Sequence, residues 1–184
     1  MAEGDQDRAY FGSSIGSAGD VNGDGYDDLI IGTPGYRSFQ FGLRDEGRVS
    51  VHLGSAAGLS TSPAWTLAGD QGSALFGQVS GAGDMDGDGY DDVITGAPAY
   101  DHGQRNEGRV AAFFGSALGL ATRASWIAES DQRDAQFGHA LAAAGDVNGD
   151  GFCDVIVGAS QFDHGQRNEG AAFAYLGSSS RRLR

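Results

Sequence analysis

The chain has one cysteine, three prolines and no long apolar run. A lone Cys153 cannot close an intramolecular disulfide, so the fold must stand without a covalent crosslink. No stretch approaches the ~20 apolar residues of a membrane-spanning helix. Positive charge is scarce: 12 basic side chains face 25 acidic ones, for a formal net charge of −13. That balance argues against nucleic acid and against anionic membranes as partners. No His-rich zinc spacing appears, so no open metal site marks an enzyme. The polar start Met1-Ala2-Glu3-Gly4-Asp5 does not read as a secretory leader. The expectation is either a cytosolic protein or a mature segment with an added start codon.

Glycine is abundant. Its 32 residues are well over twice the usual ~7%. With so little proline and no collagen period, that excess points to tight turns in an all-β protein.

Three stretches concentrate about half of the acid. They are Gly19-Asp20-Val21-Asn22-Gly23-Asp24-Gly25-Tyr26-Asp27-Asp28, Gly83-Asp84-Met85-Asp86-Gly87-Asp88-Gly89-Tyr90-Asp91-Asp92 and Gly145-Asp146-Val147-Asn148-Gly149-Asp150-Gly151-Phe152-Cys153-Asp154. Counted from the first Asp, each has oxygen side chains at loop positions 1, 3, 5 and 9 and glycine at position 6. Oxygen-only ligands suit calcium, which accepts six to eight oxygens in flexible geometry. The assigned ligands add the backbone carbonyl of position 7. They are Asp20, Asn22, Asp24, Tyr26 and Asp28; Asp84, Asp86, Asp88, Tyr90 and Asp92; and Asp146, Asn148, Asp150, Phe152 and Asp154. By carboxylate number the second loop is expected to bind tightest. An EF-hand is excluded, because position 12 is Ile31, Thr95 or Val157 where a bidentate Glu is needed. The competing reading is three solvated acidic turns. Cys153, at position 8, reads as a partly exposed and inert thiol.

The loops sit inside a longer repeat. Phe11-Gly12, Phe76-Gly77 and Phe137-Gly138 are 65 and 61 residues apart, and Leu53-Gly54-Ser55, Phe114-Gly115-Ser116 and Leu176-Gly177-Ser178 are 61 and 62 apart. Such periods with strand-like content mean a propeller or stacked array. The pattern predicts strands over 11–18, 28–32, 47–53 and 64–68, then 76–82, 92–96, 109–114 and 125–128, then 137–144, 154–158 and 171–176. The second strand of each repeat is apolar at consecutive positions and should be buried on both faces. The third, at 47–53, alternates. Four antiparallel strands per repeat make a propeller blade. Small residues in the first strand suit a crowded axis. Trp65 and Trp126 in the fourth suit rim packing, with sugar stacking as the alternative. The repeats divide the chain near 1–68, 69–129 and 130–184.

Phe76-Gly77 followed by Gly96-Ala97-Pro98, with the Asp84–Asp92 loop between them, resembles the FG-GAP repeat. Gly32-Thr33-Pro34 and Gly158-Ala159-Ser160 are softened copies. The resemblance covers essentially the whole chain. That repeat builds the β-propeller of integrin α subunits and of many bacterial surface proteins, so the resemblance implies structural calcium between the first two strands of each blade. It also implies an extracellular or cell-surface setting and ligand contact on the face opposite the calcium loops. It does not imply integrin function: the family's ring has seven blades, against three here.

Eleven strands are predicted where three blades need twelve. Residues 1–6 align with 127–132, partway through a fourth strand, and residues 181–184 align roughly with 123–126. Three blades of ordinary wedge shape cannot close and would expose apolar faces and unpaired edges. Two chains joined through the split terminal strand would form a six-bladed ring, so a homodimer is expected. The rival is a fragment of a longer propeller.

One loop segment recurs verbatim, Asp101–Gly108 as Asp163–Gly170. A ring of His, Arg and Glu there can bind a carboxylate, a sugar or a second metal. A recent duplication, with Glu and Gly simply starting a strand, explains it more economically. The functional expectation is a calcium-stabilised scaffold for protein interaction or adhesion, not an enzyme. The alternative is a lectin-like carbohydrate-binding module using the face opposite the calcium.

Overall fold

The computed structural model describes residues 2–38, 44–181 and 183. Eleven strands and no helix are found among them: β1 (Ser14–Gly19), β2 (Asp28–Thr33), β3 (Arg48–His52), β4 (Trp65–Ala68), β5 (Gln78–Gly83), β6 (Asp92–Ala97), β7 (Arg109–Phe113), β8 (Trp126–Glu129), β9 (Phe137–Gly145), β10 (Asp154–Ala159) and β11 (Ala171–Tyr175). They form three antiparallel sheets in simple up-and-down order, β1-β2-β3-β4, β5-β6-β7-β8 and β9-β10-β11. This is the arrangement of successive propeller blades. The alignment of residues 181–184 with a fourth strand of the third blade falls partly on Arg182 and Arg184, outside the described residues.

The core is not inside any sheet but between sheets. One cluster joins blades one and two through Ile30, Val49, Val51, Val79, Val93 and Phe113. The other joins blades two and three through Ile94, Val110, Ala112, Phe137, Val155 and Val157. The period-2 alternation of a strand explains the division: in β6, Val93 and Ala97 point to the first cluster while Ile94 points to the second. Strand β6 is therefore buried along its whole length. In β10 this expectation fails on one face. Ile156 is 39% exposed although Val155 and Val157 are fully buried, because among the described residues no blade covers the far side of the third sheet. Ile15, on the outer face of β1, is 65% exposed.

Blades meet closely at the inner strands. A Cβ on Gly32 would lie 1.8 Å from the Gly77 carbonyl oxygen, so only glycine permits that approach. The Ser14 hydroxyl accepts the Val79 amide across the same interface at 3.1 Å. At the rim, Trp65 packs edge-on against Phe113, ring centroids 5.3 Å apart, and its indole N–H donates to the Ala121 carbonyl at 3.1 Å. Trp126 meets Tyr175 in the same way at 4.7 Å. Both tryptophans thus reach from one blade to the next.

The segments that enter successive blades also repeat. Arg48 pairs with Asp5 at 2.8 Å and Arg109 with Asp70 at 3.5 Å. The segment before β1 therefore docks on blade one as the β4–β5 connection docks on blade two.

Replacing Trp65 with Ala removes an inter-blade aromatic contact and a hydrogen bond. The expected loss is about 3 kcal/mol, measured by urea unfolding in calcium. An unchanged unfolding midpoint would mean the rim does not hold the blades together.

Candidate metal centres

The three acidic loops join β1 to β2, β5 to β6 and β9 to β10, all at one end of the blades. Each is folded by its own carboxylates. In the first, Asp20 Oδ1 accepts the amides of Gly23 (2.7 Å) and Asp24 (3.0 Å), and Oδ2 accepts that of Gly25 (2.8 Å). Asn22 Oδ1 accepts the Asp24 amide and Asp24 Oδ1 that of Tyr26, both at 3.0 Å. Asp84 repeats the set with Gly87, Asp88 and Gly89, and Asp146 with Gly149, Asp150 and Gly151. The position-6 glycines Gly25, Gly89 and Gly151 have φ of 86°, 89° and 91°, which side-chain-bearing residues rarely adopt.

The position-9 aspartates do something different. Asp28, Asp92 and Asp154 are buried. One oxygen of each accepts the amide at position 2: Val21 (3.1 Å), Met85 (2.8 Å) and Val147 (2.8 Å). The other accepts the amide of the turn after the third strand: Gly54 (2.9 Å), Gly115 (2.9 Å) and Gly177 (2.8 Å). This explains the recurring Leu/Phe-Gly-Ser triplet, whose glycine supplies the donor. Each loop is thereby clamped to the opposite corner of its blade.

The donor set fits a hard divalent cation. Asp84, Asp86 and Asp88 each bring a carboxylate oxygen within 4.8 Å of the other two, and every predicted ligand side chain lies in its own loop. In the second loop Arg181 intrudes. Its Nε is 2.6 Å from the buried Asp86 Oδ2, an ion-pair contact without hydrogen-bond alignment, and its Nη2 donates to Asp88 Oδ2 at 2.9 Å. A guanidinium at this place offsets the loop's additional carboxylate, so carboxylate number alone does not rank the three loops.

Charge and burial pull the carboxyls apart. Burial raises Asp92 to about 8, against the amide bonds from Gly115 and Met85, with Asp86 and Asp84 adding to the rise. Burial likewise raises Asp28 and Asp86. Asp146 is lowered, chiefly by the Gly151 amide. At Asp20 desolvation is the largest single effect and upward, but four loop amides together outweigh it and leave the carboxyl lowered.

Sequence reasoning missed how loops touch each other. Asp91 Oδ2 accepts the Asp20 amide at 2.8 Å, and the Asp91 amide donates to the Asp20 carbonyl at 3.1 Å. The Cys153 amide makes the matching bond to the Asp84 carbonyl at 3.0 Å. Position 8 is therefore a clasp onto the preceding blade. Cys153 holds its place there half-buried, with its thiol raised by desolvation, which suits an inert group. The position-7 rings share the role: Tyr90 lies against Gly23 and Phe152 against Gly87. The only hint in the sequence is that positions 7 and 8 keep an aromatic and a small polar side chain that the ligand pattern does not use.

Comparison with known proteins places this geometry. The FG-GAP repeat family model matches residues 11–52, 76–113 and 137–175. The chain is 35% identical to integrin alpha-5 of Xenopus laevis over 167 residues, 87% of this chain and 16% of that protein. It is 36% identical to human integrin alpha-IIb over 161 residues, 85% of this chain and 15% of that one. Integrin alpha-PS2 of Drosophila melanogaster is 37% identical over 173 residues, covering 87% and 12%. The chain thus spans less than a fifth of the length of these relatives.

The pH dependence of the cation-free protein follows from Asp92. An unfolded Asp ionises near pH ~4, the folded one only near 8. The folded state thus binds the extra proton between these values, and stability falls as pH rises through that window. Melting of the calcium-free protein is expected at a lower temperature at about pH 8 than at about pH 5, with a flatter dependence in Asp92→Asn. A melt that rises with pH would contradict the assignment.

Proposed function

We propose that this chain, which belongs to the FG-GAP repeat family, is a calcium-stabilised propeller scaffold for protein interaction or adhesion. The observation that carries this reading is the threefold recurrence of one oxygen-lined loop at the same corner of each blade. Asp20, Asn22, Asp24, the Tyr26 carbonyl and Asp28 would hold one ion, with Asp84–Asp92 and Asp146–Asp154 holding two more. Calcium is the fitting ion because every donor is oxygen and the loops are built from backbone turns. Its role is structural: loop carboxylates left together without a cation repel, and ion binding adds directly to folding energy. The same carboxylates accept backbone amides within their loops, which favours a binding role over catalysis. An extracellular or cell-surface setting, where calcium is abundant, suits this dependence.

Carbohydrate binding on the face opposite the calcium is the second reading. Trp65 and Trp126 support it poorly, since both pack between blades. A glycan array and a protein pull-down separate the two.

A second copy of the chain is the proposed occupant of the open blade faces. In front of Gly19 and Gly83 stand Asp91 and Cys153, and in front of Gly23 and Gly87 stand Tyr90 and Phe152. The equivalent Gly145 and Gly149 meet nothing within 4 Å. At the other end Asp27 is exposed and Tyr26 is 44% exposed. The third blade thus offers the surface that the first blade's Tyr26 and Asp27 would clasp. Two chains, with repeats divided near 1–68, 69–129 and 130–184, would satisfy both faces in a two-fold ring of six blades. The docking of Asp5 on Arg48 supports residues 2–6 as the end of a strand shared with the partner's third blade.

Light scattering in calcium is expected to give twice the 19.0 kDa chain mass, shifting toward one chain in Asp27→Ala. A mass of one chain, or an open-ended series of larger species, would overturn the closed two-chain ring.

A further inference from the structure

At the end of the blades opposite the acidic loops, the second blade has an arrangement that the other two lack. Glu107, just before β7, is fully buried. Its Oε1 accepts the backbone amides of His102 and Gln104, while its Oε2 is buried with no hydrogen-bond partner. A carboxylate oxygen left unpaired in the interior carries a desolvation cost that a ligand would relieve. His102 lies across from it, Nδ1 2.7 Å from Glu129 Oε2 at the end of β8. One ligand atom from each of His102, Glu107 and Glu129 falls within 4.8 Å of the other two.

We propose that His102, Glu107 and Glu129 form a binding site for a divalent first-row transition ion, of the zinc class. One imidazole nitrogen with two carboxylates is a donor set for such ions, and it differs from the oxygen-only set of the acidic loops. Ligand bonds of about 2.0–2.2 Å place neighbouring ligand atoms about 3.4 Å apart. Reaching that spacing requires side-chain rotation that opens the 2.7 Å His102–Glu129 contact. His102 is free to turn, its side chain being 68% exposed, and leaves the ion a path from solvent.

The supporting groups are already in place. Glu129 Oε1 is fixed by Arg109 Nε at 2.7 Å, and Arg109 lies over the Tyr100 ring at 3.6 Å. The Glu107 carboxylate is oriented by the loop amides. Such outer partners tune and position metal ligands.

The other blades serve as controls. Glu46 in blade one is buried the same way, Oε1 accepting the Ser38 amide at 2.7 Å and Oε2 unpartnered. Its loop has Ser38 where blade two has His102, and β4 has Ala68 in the register position of Glu129. The buried Glu is thus shared architecture, and the His and second Glu are the addition. Blade three keeps His164 and Glu169, both exposed, and among the described residues it has no fourth strand to supply the third ligand.

The test is calorimetric titration of zinc chloride into the full chain saturated with calcium, so that the acidic loops are filled. A saturable zinc site is expected. Its affinity should fall at least about tenfold in His102→Ala and in Glu129→Gln and stay unchanged in His164→Ala. Glu107→Gln risks the fold, whereas His102 is exposed and its variant should keep the wild-type circular dichroism. Absence of saturable zinc binding, binding that survives His102→Ala, or equal loss in His164→Ala would each overturn the site.

Discussion

A carboxylate held away from water by two backbone amides fixes the corner of each blade. Asp28, Asp92 and Asp154 each accept one amide from their own loop and one from the turn that follows the third strand. A charge in the interior is costly unless hydrogen-bonded, and here each oxygen has a donor within 3.1 Å. The loop and the turn cannot separate without exposing that bond. Once the clamp closes, the oxygens of positions 1, 3 and 5, two or three of them carboxylate, are gathered on a short turn. A cation at that place would offset the charge that the clamp gathers, which is the proposed role of calcium.

The second constraint acts between blades. No sheet has a core of its own. Strand β6 sends Val93 one way and Ile94 the other, into two separate clusters. A blade with a neighbour on one side only leaves part of its outer face uncovered, as Ile156 and Ile15 show, although Ile31, Ser50 and His52 of blade one are buried. The acidic loops contribute to the same stacking: Asp91 and Tyr90 hold the first loop as they complete the second. A cation bound in one loop, as proposed, would firm the contact with the next blade.

Much of this was legible in the sequence. The period of about 61 residues, the alternation in 47–53 and the consecutive apolar positions of 92–96 located the strands within a few residues. The three acidic turns were legible because residue spacing along a turn is a local property. What was not legible depends on tertiary placement. Asp91 and Cys153 occupy the same clasp with different chemistry, so the residue pattern only hints at it. The exposure of Ile156 follows from the absence of a neighbouring blade, which β10's own sequence does not encode. Arg181 lies 93 residues from the Asp88 it pairs with. Glu107 read as a strand start until its buried, unpartnered oxygen and the approach of Glu129 came into view.

The central claim, that a cation completes the clamped loops and so holds the fold, is tested most directly by melting the protein at neutral pH in excess calcium and in excess chelator. The account predicts a lower melting temperature in chelator, rising again as calcium is restored in proportion to the logarithm of its concentration. A melting temperature indifferent to calcium would contradict it, and would leave the three loops as acidic turns held by their amides alone.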